Sequence, residues 1–302
     1  MNNHVIAVDI GGTNIRVALL GDKLEIVKKE TAFTGDIHSK DEFFAQIEKM
    51  LQLVDSNKEA KSIGIVMPAP WTRDKKEITD ITNIPCLENL KVEEIRKYFK
   101  DYSVYIENDV NVIALLESNC GAAKKYSNSL YITVSTGIGS GVIINNEIYH
   151  GAHGYAGEIG SVIVSKSFDG FSYNTLEDKC SGKALEEKSL ELFGDGSDAK
   201  VLFCQYENGD KEATKVVENW IDELTSGLAS VIQMFDPEVI VLGGPVVLKH
   251  NWVIDTLKHE IAKKVLGKLA REIKLVSAEF GLEAGLIGAG YYALQQEKES
   301  NI

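Results

Sequence analysis

The sequence predicts an α/β protein assembled from two similar halves, and three observations carry that prediction. Strand-like and helix-like stretches alternate along 302 residues. An apolar run broken by a glycine-rich turn occurs twice, as VDIGGTNIRVALL (8–20) and VSTGIGSGVII (134–144). A further glycine pair, Gly243-Gly244, follows the buried-strand pattern VIVL. A motif that returns in this way reads as an internal duplication.

Residues 4–10, 15–20 and 24–31 read as strands of an antiparallel meander, joined by GGTN and GDK turns. DEFFAQIEKMLQLV (41–54) spaces its apolar residues as a helix does. KSIGIVMP (61–68) is a short buried strand stopped by Pro68, VEEIRKYF (92–99) a helix and SVYIE (103–107) a strand. NDVNVIALLESNCGAA (108–123) is a helix opened by an Asn cap. LYITVSTGIGSGVIINNEIYH (130–150) returns to strand, glycine turn, strand, turn, strand. ATKVVENWIDELTSGLASVIQMF (213–235) is a long amphipathic helix. PEVIVLGGPVV (237–247) is a buried strand ending in a Gly-Gly turn, and IKLVSAEF (273–280) another strand. EAGLIGAGYYALQQ (283–296) is a final helix whose small residues allow close packing.

The net charge of −13 argues against a nucleic-acid-binding surface, though not against a small anion held locally. No apolar run approaches the roughly 20 residues of a membrane helix. MNNHVIAVDI lacks the basic region and cleavage site of a signal peptide. Cys86, Cys120, Cys180 and Cys204 are scattered, which suits a reducing cytoplasm and offers no metal cluster. A cytoplasmic protein without nucleic-acid or membrane partners is the expectation.

The glycine turns carry the chemistry. A tight hairpin turn by itself explains Gly11 and Gly12. It does not explain Asp9, a carboxylate at the end of a buried strand, which is costly without a partner. The sharper reading is a phosphate cradle in which turn N–H groups and the Thr13 hydroxyl hold anionic oxygens and Asp9 faces the accompanying metal. Two such turns in two halves suggest one nucleotide held between two domains, with Gly243 and Gly244 close to the nucleoside. No GxxxxGK[ST] exists, and TGIGSG runs into a strand rather than a helix, so neither a Walker loop nor a dinucleotide fingerprint fits.

Glu107-Asn108-Asp109 end a strand and begin a helix, where capping is one reading and a catalytic base the other. Glu158 lies in the glycine-rich HGAHGYAGEIGS, and Glu177 precedes a Ser-Gly helix start. Such carboxylates suit a polyol, whose hydroxyls both donate and accept, or they are surface residues. Asn83 is a loop residue before a proline, a turn former or a ligand contact.

Taken in order, DIGGTNIR, END, STGIGSG, HGAHGYAGEIG and VLGGP closely resemble the bacterial sugar kinases of the ROK family (repressor, open reading frame, kinase), over residues 5 to about 295. The resemblance implies the actin-like, ribonuclease-H-like fold, with ATP and sugar in a cleft between two similar domains. It sets these at 1–114, completed by the C-terminal helix 284–302, and 115–283. It implies an ATP-dependent kinase that transfers the γ-phosphate to a hydroxyl of a hexose or derivative: glucose, N-acetylmannosamine or a β-glucoside. By position, Asp109 is the general base, and Asn83, Asn108, Glu158 and Glu177 bind sugar. Gly11, Gly12, Thr13, Thr136 and Gly137 hold the ATP phosphates, Gly243 and Gly244 lie on the nucleoside side, and Asp9 reaches Mg²⁺ through water. A homodimer is common in the family. Repressor members carry a helix-turn-helix region ahead of the DIGGT motif; here that motif begins at Asp9, so no DNA-binding domain is expected. The alternative is a sugar-binding regulator of the same fold with little catalysis.

Two departures stand out. The family's PGP is PAP here (Pro68-Ala69-Pro70), and the histidine of GEIGH is Ser161. In many relatives that histidine and three cysteines hold zinc. Here Ser161, Phe168, Gly170 and Thr175 take those positions, so the chain is expected to lack the zinc site. Burial of Phe168, Phe171 and Tyr173 is expected in its place.

Overall fold

The opening meander recruits two parallel strands and becomes an open sheet. The computed structural model describes residues 4–69, 76–78, 84–166, 172–268 and 270–300. It divides into two units: Met1–Asn119 with Glu147–Ala156 and Phe280–Ile302, and Cys120–Asn146 with Gly157–Glu279.

In the first unit, β1 (Val5–Ile10), β2 (Asn14–Leu20) and β3 (Ile26–Phe33) are antiparallel. Helix α1 (Lys40–Val54) follows, with Ser39 accepting the Glu42 N–H as its cap. Strand β4 (Ser62–Met67) runs parallel to β1. After helix α2 (Val92–Tyr98), β5 (Ser103–Asn108) runs parallel to β4 and leads directly into α3 (Asp109–Cys120). The sheet order is β3-β2-β1-β4-β5. Both β1 and β4 are buried along their whole length, because one face meets the core of α1 and α2 and the other meets the C-terminal helix.

The second unit repeats the plan. Strands β6 (Ser129–Val134) and β7 (Ile138–Ile144) are antiparallel, and the two-residue β8 (Glu147–Ile148), just past the boundary of this unit at Asn146, is the edge strand beside β7. A small antiparallel pair, β9 (Ile163–Lys166) and β10 (Tyr173–Thr175), precedes the short α4 (Leu176–Cys180). Helices α5 (Gly182–Phe193), α6 (Ala199–Glu207) and α7 (Lys211–Phe235) follow. Asp210 caps α7 by accepting the Glu212 and Ala213 N–H groups, and Trp220 and Leu228 of α7 join Phe203 and Ile132 in the core. Strand β11 (Val239–Gly243) is parallel to β6, then come α8 (Pro245–Leu248), α9 (Asn251–Lys264) and β12 (Lys274–Ser277), which is parallel to β11. The sheet order β8-β7-β6-β11-β12 matches that of the first unit.

The last helix, α10 (Ala284–Ser300), returns to the first unit. Its small residues pack closely, as the sequence predicts. A Cβ on Gly64 of β4 would fall on the backbone carbonyl of Ala289, and one on Gly288 would meet Val112 of α3. Two sheets of one strand order, each with helices on its faces, make the actin-like, ribonuclease-H-like α/β fold.

The strand of PEVIVLGGPVV ends at the Gly-Gly turn, as the sequence reading has it: it stops at Gly243, Gly244 takes φ +86°, and Pro245 opens a helical turn that the reading did not include. Among the described residues no helix is long and apolar enough to cross a membrane.

Candidate active site

In the first unit, chemistry collects at the C-terminal ends of β1 and β5. Asp9 is the penultimate residue of β1 and is 6% exposed. The antiparallel register places Arg16 opposite it, and the guanidinium donates to Asp9 Oδ2. Burial raises the Asp9 carboxyl above its ordinary range, and Arg16 draws it down by less. Arg16 also donates to the Leu282 carbonyl at 2.7 Å. Gly285, in the first turn of α10, leaves room for Asp9: a Cβ there would lie 2.7 Å from Oδ2. The turn itself is held by Gly11 N–H donating to Asn14 O (2.8 Å) and by Thr34 Oγ1 donating to Gly11 O (2.9 Å). Gly12 and Thr13 are exposed.

At the end of β5, Asn108 does cap α3: its Oδ1 accepts Val110 N–H at 3.0 Å and Asn111 N–H at 3.3 Å. Its amide donates to the carbonyl of buried Ala69 at 3.4 Å. The helix therefore starts at a fixed place, with Asp109 as its first residue and half-buried. Glu107 is 1% exposed and accepts Asn108 N–H (2.9 Å), the Asn111 amide (3.2 Å) and His150 Nε2 (2.9 Å). Asn83 lies outside the described residues.

In the second unit, Thr136 and Gly137 form the turn between β6 and β7, with Thr136 exposed. The start of α5 docks on this turn: Gly182 N–H donates to Ser135 O (2.7 Å) and Lys183 N–H to Thr136 O (3.2 Å). Glu177 Oε2 accepts the Ile138 N–H at 2.7 Å and occupies space that Cβ atoms on Gly137 or Gly160 would need. Glu177 thus buttresses the β6–β7 turn. Burial, and then the negative charge of Glu177, raise the carboxyl of Glu158 above its usual range. Gly243 and Gly244 are required by protein atoms: a Cβ on the first would strike the Tyr131 ring, and one on the second the Val134 carbonyl.

A cavity of about 210 Å³ in this unit is lined by Ser135, Thr136, Lys183, Phe203, Lys249 and His250, among others. An anionic group with a planar ring suits two ammonium groups and the aromatic Phe203. The sequence reading had Thr136 but missed Lys183, Phe203, Lys249 and His250, because the cavity draws them from α5, α6 and the end of α8. Arg16 had a legible signal, since the GGTN hairpin register sets it opposite Asp9.

The expected zinc positions are only partly described. Ser161 is exposed, and Thr175 caps α4 in a reciprocal pair with Asp178, while Phe168 and Gly170 lie outside the described residues. No group of three or more His, Cys, Asp and Glu able to hold a metal occurs among the described residues. The expectation of aromatic burial fails at Tyr173, which is 57% exposed on the β9–β10 pair. A two-stranded ribbon leaves one of its faces in solvent. Phe171 lies outside the described residues.

Comparison with known proteins agrees with this architecture. The ROK family model matches residues 5–296. The chain is 26% identical to a glucokinase from Thermotoga maritima, over 94% of this chain and 95% of that one. It is 29% identical to the xylose repressor of Bacillus subtilis, over 75% of this chain and 59% of the repressor. Among solved structures, the ROK hexokinase from Thermus thermophilus matches with a TM-score of 0.83 and 29% identity, covering 98% of this chain and 99% of that one. With the motifs, the duplicated sheet order and a family match along nearly the whole sequence in agreement, this chain belongs to the ROK family.

Proposed function

We propose that this chain is an ATP-dependent sugar kinase that transfers the γ-phosphoryl group to a hydroxyl of a hexose or hexose derivative, with Asp109 as general base. The observation that carries this reading is the end of β5. Three consecutive polar residues are fixed there by capping and by a buried carboxylate, and Asp109 is left half-buried at the helix start. Phosphoryl transfer is mainly positioning and charge neutralisation, so a rigidly placed acceptor for one proton is the main chemical demand on the protein. The P–O bond to ADP breaks, a P–O bond to the sugar oxygen forms, and the hydroxyl proton passes to Asp109.

Other residues take supporting roles. Asn108 and Glu158 bind sugar hydroxyls, with Asn83 and Glu177 assigned to the same task. Gly11, Gly12, Thr13, Thr136 and Gly137 face the phosphates, and Lys183 and Lys249 favour the nucleotide's charge. Asp9 fits an Mg²⁺ ion held through water. Only its Oδ2 is taken by Arg16 among the described residues, and its raised carboxyl is what a nearby cation would relieve. Mg²⁺ keeps several waters and takes one or two carboxylates, and when bound it neutralises phosphate charge.

A second reading, a sugar-binding regulator with little catalysis, draws on the similarity to a repressor. Sugar-dependent ADP release across a panel of hexoses, N-acetylhexosamines and β-glucosides with MgATP separates the two. The kinase reading expects release with at least one sugar. The regulator reading expects sugar binding without it.

A further inference from the structure

His150 has no place in the reaction described so far, yet its side chain docks on the buried carboxylate next to the base. It opens the glycine-rich loop that runs on to Glu158. Residues 147–156 belong to the first unit, and the His150 carbonyl accepts Ala156 N–H at 3.3 Å, which closes the loop on itself. Gly151 and Gly154, at φ +72° and +89°, make that closure possible. The imidazole, 32% exposed, places Nε2 2.9 Å from Glu107 Oε2. A carboxylate oxygen accepts and does not donate, so Nε2 carries the hydrogen.

Glu107 is the hub of this arrangement. Its Oε1 accepts the Asn108 N–H and the Asn111 amide, one residue before and two residues after Asp109. Its orientation therefore sets where the strand ends and how the first turn of α3 is held. At 1% exposure, losing a donor is costly for Glu107, because water cannot easily replace it. The surrounding backbone would shift to recover a partner, and Asp109 would shift with it.

We propose that His150 is a positioning residue that acts through Glu107: it fixes the start of α3, and so the place of Asp109, to the loop of residues 150–156 within the same unit. This rests on the kinase reading above for its consequence in turnover, but not for its consequence in structure. The side chain does not touch the reacting atoms; its contribution is one hydrogen bond of defined direction.

The test uses the full chain with His150→Ala and His150→Gln. The Gln amide can reach a position similar to Nε2 and donate, whereas Ala cannot. In His150→Ala, kcat should fall about 10- to 100-fold, the scale of a small misplacement of a catalytic group. KM for ATP should stay within about twofold, since uniform binding is untouched. Amide exchange at Val110 and Asn111, read by hydrogen-exchange NMR, should quicken by about tenfold or more while global unfolding is little changed. His150→Gln should recover both properties to within about threefold of the parent. Unchanged turnover and exchange in His150→Ala would overturn the proposal. So would equal damage in both variants accompanied by equal loss of melting temperature, which marks a purely structural role. If the parent phosphorylates no sugar, the kinase reading falls; the exchange arm then decides alone, with quickened and Gln-rescued exchange supporting the positioning role and unchanged exchange ending it.

Discussion

Asp109 and Glu158 illustrate how the environment of a carboxylate decides its use. Asp109 begins a helix whose first N–H groups are served by the Asn108 side chain and by Asp109 Oδ1 itself, which accepts the Val110 N–H at 2.8 Å, so the carboxylate is held at the helix start. Asp109→Asn keeps the shape and removes the proton acceptor. Turnover should fall about 10²- to 10⁴-fold with sugar and ATP affinities little changed, as steady-state kinetics and calorimetry would show. Glu158 makes a prediction about pH. Its folded carboxyl is raised by burial and by Glu177, so it takes up a proton while ordinary glutamates are still charged. Sugar affinity should weaken as pH falls through that raised value, and Glu158→Gln should flatten the profile. The stability sign follows: a raised folded pKa means stability is present below the ordinary glutamate value and lost as pH rises through the raised one. Glu158→Gln should therefore melt higher than the parent at neutral pH while binding sugar less well. Of these residues, Asp9, Asn108, Asp109, Glu158 and Glu177 were legible as polar side chains at the ends of apolar runs or in glycine-rich loops. The bond from Glu177 to Ile138 was not, because it joins residues 39 apart in sequence.

At the scale of elements, glycines specify the packing of helix on sheet. Gly64 lets α10 approach β4 until its Cα faces the Ala289 carbonyl. Gly64→Ala should cost about 1–3 kcal/mol in denaturant unfolding, because a backbone carbonyl cannot rotate away as a side chain can. Gly285→Ala would put a methyl against Asp9 Oδ2. It should weaken ATP binding more than sugar binding if Asp9 serves the metal, and titration of each ligand checks this. The elements with clear periodicity, α1, α7 and the strands of both meanders, were readable from apolar spacing. In PEVIVLGGPVV the strand and its Gly-Gly turn were readable, but the helical turn of Pro245–Leu248 was not, because it rests on the backbone freedom of Gly244 and on Pro245. Helix α6 went unread because its nine residues offer barely two turns of pattern, although its Phe203 reaches the cavity beside Thr136.

At the scale of the molecule, the repeated sequence motif and the repeated sheet order report the same duplication. That much was legible because each glycine turn interrupts a strand pair in the same way. The return of α10 to the first unit was expected from the family resemblance alone, and the docking of His150 on Glu107 was not legible, since it depends on where distant segments fold back. The central claim, that the chain moves phosphate from ATP to a sugar hydroxyl with Asp109 as base, is tested most directly by watching the product form. ³¹P NMR of the chain with MgATP and each sugar of the panel should show a new phosphomonoester resonance matched by loss of the γ-phosphate signal. Asp109→Asn should abolish that resonance within the same period while still binding both ligands. ATP consumed to inorganic phosphate alone, no phosphomonoester with any sugar, or an Asp109→Asn variant that makes product at the parent's rate would contradict the claim.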